Sequence, residues 1–265
     1  MPQITGSAAH LLGCDDSVVR IFDDAAAEYD AARPAYPEGV YDLLESKSGP
    51  LAEKLVVDGG TGTGVVARQL LERGAQVVGF DPGPEMLKRA RLRSSNLPVV
   101  QADGAALPFQ SISVSLLCFG QSWHWVEQEA GASEAARVLT SDGWWAAWWN
   151  HPWADGEGWF ERYYSLLEER CAGFSRDQRD IDWCAGAIER NGSFQSPERH
   201  VVEWDRTVSV KDWLTDLRSH SYVIDLDSDQ RASLLSACNA ILRQQFDDLM
   251  IVPYQTRVWI ASRAG

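Results

Sequence analysis

VVDGGTGTG, residues 56–64, ends a short β-branched run and opens on three glycines at alternate positions, Gly60, Gly62 and Gly64. Alternating glycines at the end of a strand let a ligand approach the backbone closely. The next stretch, VVARQLLERG (65–74), has helical spacing with Gly74 as its C-cap. Strand, glycine turn and helix together open a nucleotide-cofactor-binding sheet. Taken from Gly62, the string GTGVVA also satisfies G-x-G-x-x-G/A, and Asp81 lies 19 residues later, near the usual offset of a ribose-binding acid. Asp58 points elsewhere, because a carboxylate beside the loop repels a pyrophosphate and suits a cationic group. The α-ammonium of S-adenosylmethionine is such a group, with Asp81 then taking the ribose hydroxyls. An NAD-dependent oxidoreductase and an S-adenosylmethionine enzyme both stay open on the loop alone.

Outward from the loop the pattern repeats. A helix over 15–32 and a second over 37–47, stopped by Ser48-Gly49-Pro50, precede the strand at 54–58. After it come AQVVGF with EMLKRARLR, LPVVQA with the irregular ADGAALPF, ISVSLLCF (112–119), a helix through EQEAGASEAARVL, and GWWAAWW (143–149). Five short buried strands alternating with helices imply right-handed crossovers and a parallel sheet covered on both faces. Beyond Asn150 the spacing predicts amphipathic helices over 157–171 and 177–192, a strand over 198–210, helices at 211–219 and 229–248, and a last strand over 256–262. The expected organisation is one domain over 1–265. It comprises an N-terminal helical lid (15–50), a cofactor-binding core (52–150), cap segments (151–195 and 210–248) and closing strands (196–209 and 249–265).

Composition narrows the partners. The net charge of −14 repels phosphate backbones and anionic lipid, so nucleic acid is not expected as a partner. MPQITGSAAHLLG lacks the basic start and apolar run of a signal peptide, and no stretch approaches 18 uninterrupted apolar residues, which predicts a soluble cytoplasmic protein with no membrane contact. Five cysteines, Cys14, Cys118, Cys171, Cys184 and Cys238, show no C-x-x-C spacing, so buried thiols are expected and no metal. The 12 tryptophans, crowded in QSWHW and GWWAAWWNHPW, suit a large core or an aromatic pocket.

With these motifs in order, the chain resembles the class I S-adenosylmethionine-dependent methyltransferases. D-x-G-x-G-x-G at Asp58 to Gly64 is similar to their first motif, GFDPGPEML with Asp81 to the second, and QADGAALPF with Asp103 to the third. The nearest likeness is to the small-molecule branch that includes trans-aconitate methyltransferases. It rests on FDDAAAEYDAARPAYP, the LPF tripeptide, the pair His124-Trp125, E-x-x-R-V-L at Glu134 to Leu139, and PYQTRV at Pro253 to Val258. The resemblance implies a Rossmann-like, seven-strand, mostly parallel sheet with helices on both faces, and S-adenosyl-L-methionine as cofactor. It further implies contacts to the cofactor from Tyr29, Arg33, Pro82, Met86, Ala102, Asp103 and Gly104, and to the acceptor from Tyr36. Two departures stand out: Ser113-Val114-Ser115 offers no carboxylate where many relatives have one, and Ser141-Asp142-Gly143 replaces a proline-glycine turn.

Ligands of a parallel sheet bind outside the carboxyl ends of its strands. That selects Gln121 for the cofactor, Trp123, Trp125, Trp149, Asn150 and His151 for a small-molecule acceptor, and His124 as general base. Against each stands a plainer role: a tight turn for the glycines, a turn cap for Asp103, an imidazole packed between tryptophans for His124. GWWAAWW alternates, so most of its tryptophans belong to the core and Trp149 alone is placed to touch substrate. The expected activity is methyl transfer to an oxygen or nitrogen of a small, partly apolar or aromatic molecule. A non-methylating S-adenosylmethionine-binding protein is the alternative.

Overall fold

Leu55–Gly59 forms β1 and is buried from Val56 onward, as a strand covered on both faces must be. The computed structural model describes residues 34–179 and 181–265. Six further strands join β1 in one sheet: β2 (Gln76–Asp81), β3 (Val99–Gln101), β4 (Val114–Gly120), β5 (Leu139–Pro152), β6 (Glu198–Ser209) and β7 (Leu249–Ser262). Their order is β3-β2-β1-β4-β5-β7-β6. The first five pair in parallel, whereas β7 lies antiparallel between β5 and β6. Chain order reverses direction between β1 and β4, and this switch point opens a crevice at their carboxyl ends.

One face of the sheet carries α1 (Glu38–Ser48), α2 (Val65–Glu72) and α3 (Pro84–Arg93); the other carries α4 (Gln128–Val138) and α6 (Gly186–Asn191). The alternation of β5 holds as expected. Trp144, Ala146 and Trp148 pack on the α1 side, and Trp145, Ala147 and Trp149 on the α4 side. Two of the quoted motifs meet at the foot of α4. Arg137 donates to the carbonyls of Leu107 (2.9 Å) and Phe109 (2.8 Å), and Glu134 accepts the Leu107 amide at 2.8 Å while pairing with Arg137 at 2.7 Å.

Over the far end of β6 and β7 sits a cap of α5 (Gly158–Arg170), α7 (Val210–Arg218), α8 (Ser221–Ile224) and α9 (Ser228–Arg243). Its core is aromatic and packs edge to face, with Trp159 against Phe246 (5.2 Å) and Trp213 (6.4 Å). Among the described residues no helix is long and apolar enough to cross a membrane. Cys118, Cys171, Cys184 and Cys238 are buried free thiols.

Three boundaries differ from expectation. In place of the one helix expected over 177–192 there are short 3-10 turns, Arg176–Arg179 and Asp182–Ala185, followed by α6, and the Trp123 indole N–H donates to the Cys184 carbonyl at 3.0 Å. The helix expected to 248 ends at Arg243, and the chain turns so that Phe246 reaches Trp159. The last strand starts at Leu249, well before 256, since its extra turn of alternation pairs with the whole of β6.

Candidate active site

At the end of β1 the backbone turns through positive φ at Gly60 (62°), Gly62 (53°) and Gly64 (83°), and Gly64 caps α2. A side chain at Gly60 would meet Ser122 Cβ at 2.4 Å, so glycine is what lets the loop lie against the end of β4. Asp81, at the end of β2, accepts the Gly62 amide (2.9 Å) and the Gly83 amide (2.8 Å), one on each carboxylate oxygen. Asp58 is buried and accepts the Thr61 hydroxyl at 2.6 Å. Burial pushes its carboxyl up to about 7; the Thr61 hydroxyl and Ala67 amide oppose the rise, Asp81 adds to it and Arg68 lowers it. Asp103 caps its own turn, taking the Ala105 amide at 2.8 Å. Pro82 accepts from the Gln101 side chain at 2.9 Å, and Met86 and Ala102 are buried. Gly104 packs so tightly that a Cβ would strike Val126.

Two cavities meet at this loop. A small one, about 30 Å³, is lined by Asp58, Gly60, Gly62, Thr63 and Tyr36 among others. A large one, about 440 Å³, runs beneath the cap between the ends of β4, β5 and β7. Pro34 and Gln121 line both. Gln121 takes φ 55°, unusual for a non-glycine residue, with its amide on the Trp148 carbonyl at 2.8 Å and its side-chain amide 3.4 Å from the Tyr36 hydroxyl.

Of the expected acceptor contacts, Trp125, Trp149, Asn150 and His151 line the large cavity, as does His124. Trp123 does not: it is fully buried, packed on Phe119 (4.7 Å) and Trp145 (5.2 Å), with its N–H spent on Cys184. Tyr36 lines the loop cavity instead of the large one, edge-on to Trp148. Tyr29 and Arg33 lie outside the described residues, as does the segment 15–33 of the expected lid. His124, expected as general base, lines the cavity with one ring nitrogen engaged: the Trp149 indole N–H donates to its Nδ1 at 3.1 Å, which in a neutral ring places the proton on Nε2.

The far wall of the large cavity, from α7 and β7, supplies what sequence reasoning had not assigned. Asp216, His220 and Tyr254 line the cavity, and behind them Arg206 is buried with its guanidinium 2.6 Å from Asp216 and 3.0 Å from the Tyr254 hydroxyl. Tyr254 lies within PYQTRV, the one signal that could have pointed there.

A seven-stranded sheet of this order, with a glycine turn at the switch point and an acid closing the next strand, defines the class I methyltransferase architecture. Residues 57–147 match the methyltransferase domain family. An uncharacterized methyltransferase of Mycobacterium bovis is 29% identical over 221 residues, 83% of this chain and 85% of the relative. Among solved structures, a protein of Anaeromyxobacter dehalogenans provisionally named a type II methyltransferase aligns with TM-score 0.66 and 21% identity, covering 88% of this chain and 98% of its own. A Haemonchus contortus phosphoethanolamine N-methyltransferase, solved with S-adenosylhomocysteine, aligns with TM-score 0.55 and 15% identity over 92% of this chain and 58% of its own. The chain has the class I methyltransferase fold. It is an S-adenosylmethionine-dependent methyltransferase, and the choice of cofactor left open by the loop falls to S-adenosylmethionine.

The loop suits that cofactor. Thr63 Oγ1 is buried in the loop cavity with no hydrogen-bond partner among the described residues. The Asp58 carboxyl beside it, held half-neutral by burial near pH 7, regains its charge against an ammonium.

Proposed function

We propose that this enzyme methylates an oxygen or nitrogen atom of a small, partly apolar or aromatic molecule held in the large cavity. The observation that carries the reading is the cavity itself: about 440 Å³, walled by the rings of Trp125, Trp149, Tyr164, Trp213 and Tyr222, and joined to the glycine loop at Gln121. Its volume lies in the ~300–1,000 Å³ range of small-molecule sites and is too small for a folded polymer. The reading is compatible with the small-molecule branch that includes trans-aconitate methyltransferases.

When bound, S-adenosylmethionine supplies a methyl group on a positively charged sulfur. Asp58, Gly60, Gly62, Gly64 and Asp81 are the residues that would hold it, with Pro82, Met86, Ala102, Asp103 and Gly104 about the adenine end and Gln121 at the junction. Transfer from a sulfonium is an in-line displacement, so the chain's task is to align the nucleophile and keep water out. The aromatic walls exclude water. Asn150, His151, Trp125 and Trp149 orient the acceptor, and His124 contributes its Nε2 proton as a hydrogen bond. An acceptor that arrives as a carboxylate or neutral amine needs no base.

The test uses S-adenosylmethionine labelled on its methyl group, incubated with the enzyme and a mixed extract. The label is expected in organic-extractable small molecules. Label confined to protein or nucleic acid would overturn the reading.

A further inference from the structure

Asn150 stands on β5 opposite Thr256 of β7. It is 8% exposed and lines the large cavity. Its carbonyl accepts the Thr256 hydroxyl at 2.6 Å, and the Thr256 oxygen in turn accepts the Trp204 indole N–H at 2.9 Å. An indole nitrogen only donates, so the direction of this relay is set from its far end. Thr256 receives from Trp204, which sends its single proton to Asn150. Asn150 must therefore turn its carbonyl toward Thr256 and its NH2 the other way. That amide nitrogen is buried and has no hydrogen-bond partner among the described residues. A buried donor left unmade costs its full desolvation, and three strands are committed to keeping it so oriented.

We infer that Asn150 is the specificity-determining donor of the acceptor cavity, and that the ligand it selects carries a hydrogen-bond-accepting oxygen, of the carbonyl, carboxylate or phenolate kind, on an aromatic or apolar body. Asn150 donates one N–H to that oxygen. Thr256 and Trp204 are positioning residues: they fix which end of the amide faces the ligand. A ligand presenting an ammonium at this point meets donor with donor and is refused. The inference rests on the reading of the large cavity as the acceptor's chamber.

The test compares acetophenone with α-methylstyrene, near-isosteres that differ in C=O against C=CH2. Each is titrated by ligand-observed NMR into the full chain in the presence of S-adenosylhomocysteine. N150D and N150L are each expected to lower the ketone-to-hydrocarbon affinity ratio about tenfold, the worth of one hydrogen bond to a buried donor. T256V, which removes the hydroxyl that orients the amide, is expected to lower the ratio as well, and T256S to restore it. A purely structural role for Thr256 would change both affinities together and leave the ratio alone. S-adenosylhomocysteine binding, read in the same samples, reports that each variant is folded; should N150D fail there, N150L and the Thr256 pair carry the comparison. A ratio unchanged in folded N150D or N150L overturns the inference, as does absence of ketone binding to the unsubstituted enzyme. A ratio that depends on Asn150, found in an enzyme that methylates no small molecule, would retire the proposed function and leave the role of Asn150 standing. Methylation of small molecules with an unchanged ratio would do the reverse.

Discussion

Asp58 carries the clearest pH signature in the molecule. In the folded chain its carboxyl sits at about 7 because burial disfavours the charge, against an ordinary value of 3.8. The folded state therefore binds a proton that the unfolded state has already released between roughly pH 4 and 7, and in that window stability falls as pH rises, levelling off above 7. Cofactor binding should run the opposite way. A cationic group beside Asp58 favours the carboxylate, so binding below pH 7 releases a proton and the affinity rises with pH by up to about tenfold per unit before reaching a plateau. Calorimetry with S-adenosylmethionine at pH 6, in buffers of differing ionisation enthalpy, is expected to show that proton release in the native enzyme and none in D58N. Equal release in both would remove Asp58 from the cofactor's surroundings. The placing of Asp58 and Asp81 at the ends of β1 and β2 beside the glycine turn was legible in the sequence, because strand ends and glycines mark it. The partner of His124 was not, since it is an indole 25 residues away in the chain.

The link between α4 and the segment before β4 joins backbone bonds, from Ile112 to the Arg137 carbonyl and from Ser113 to the Val138 carbonyl, to side-chain bonds of Glu134 and Arg137. Arg137 satisfies the carbonyls of Leu107 and Phe109 and is itself held by Glu134, which also raises its pKa. Arg137→Met keeps much of the stem's packing and strands two carbonyls. A loss of about 2 kcal/mol is expected, read as a lower urea midpoint with unchanged slope. An unchanged midpoint would mean that the bonds are made equally well to water. LPF and E-x-x-R were both visible as motifs in the sequence, yet nothing in either string says that one is the other's partner. Periodicity placed β1 through β5 and α5, where burial itself writes the pattern. It placed one helix over 177–192 where two 3-10 turns and α6 stand, and it saw the alternation of β7 only from 256, because the outward residues Leu249 and Ile251 are apolar although exposed.

The large cavity draws its walls from the turn after β4 and from β5, α5, α7, α8 and β7, which explains why its far side, Asp216, His220 and Tyr254, was not assigned from sequence. The buried Arg206–Asp216 pair ties the cap to the sheet across that wall. D216L leaves a guanidinium in the interior beside a leucine, and a cost of about 3–5 kcal/mol is expected; the double variant R206M/D216L should recover most of it. Urea unfolding of the single and double variants checks this, and equal stabilities would show that the pair is solvated in solution. The position of β7 has a consequence for the order in which the protein acquires its abilities. Because β7 is inserted between β5 and β6, β6 has no neighbour in the sheet until residues 249–262 have been synthesised. A nascent chain at residue 248 holds the five parallel strands and the glycine turn, with an open strand edge at β5 and β6 adrift. Tyr254 and Thr256 follow the whole of the cap in the chain. The growing polypeptide thus completes the glycine turn and the five parallel strands well before the strand that closes the far side of the large cavity, and the interval between them is the time needed to translate the segment that carries the cap.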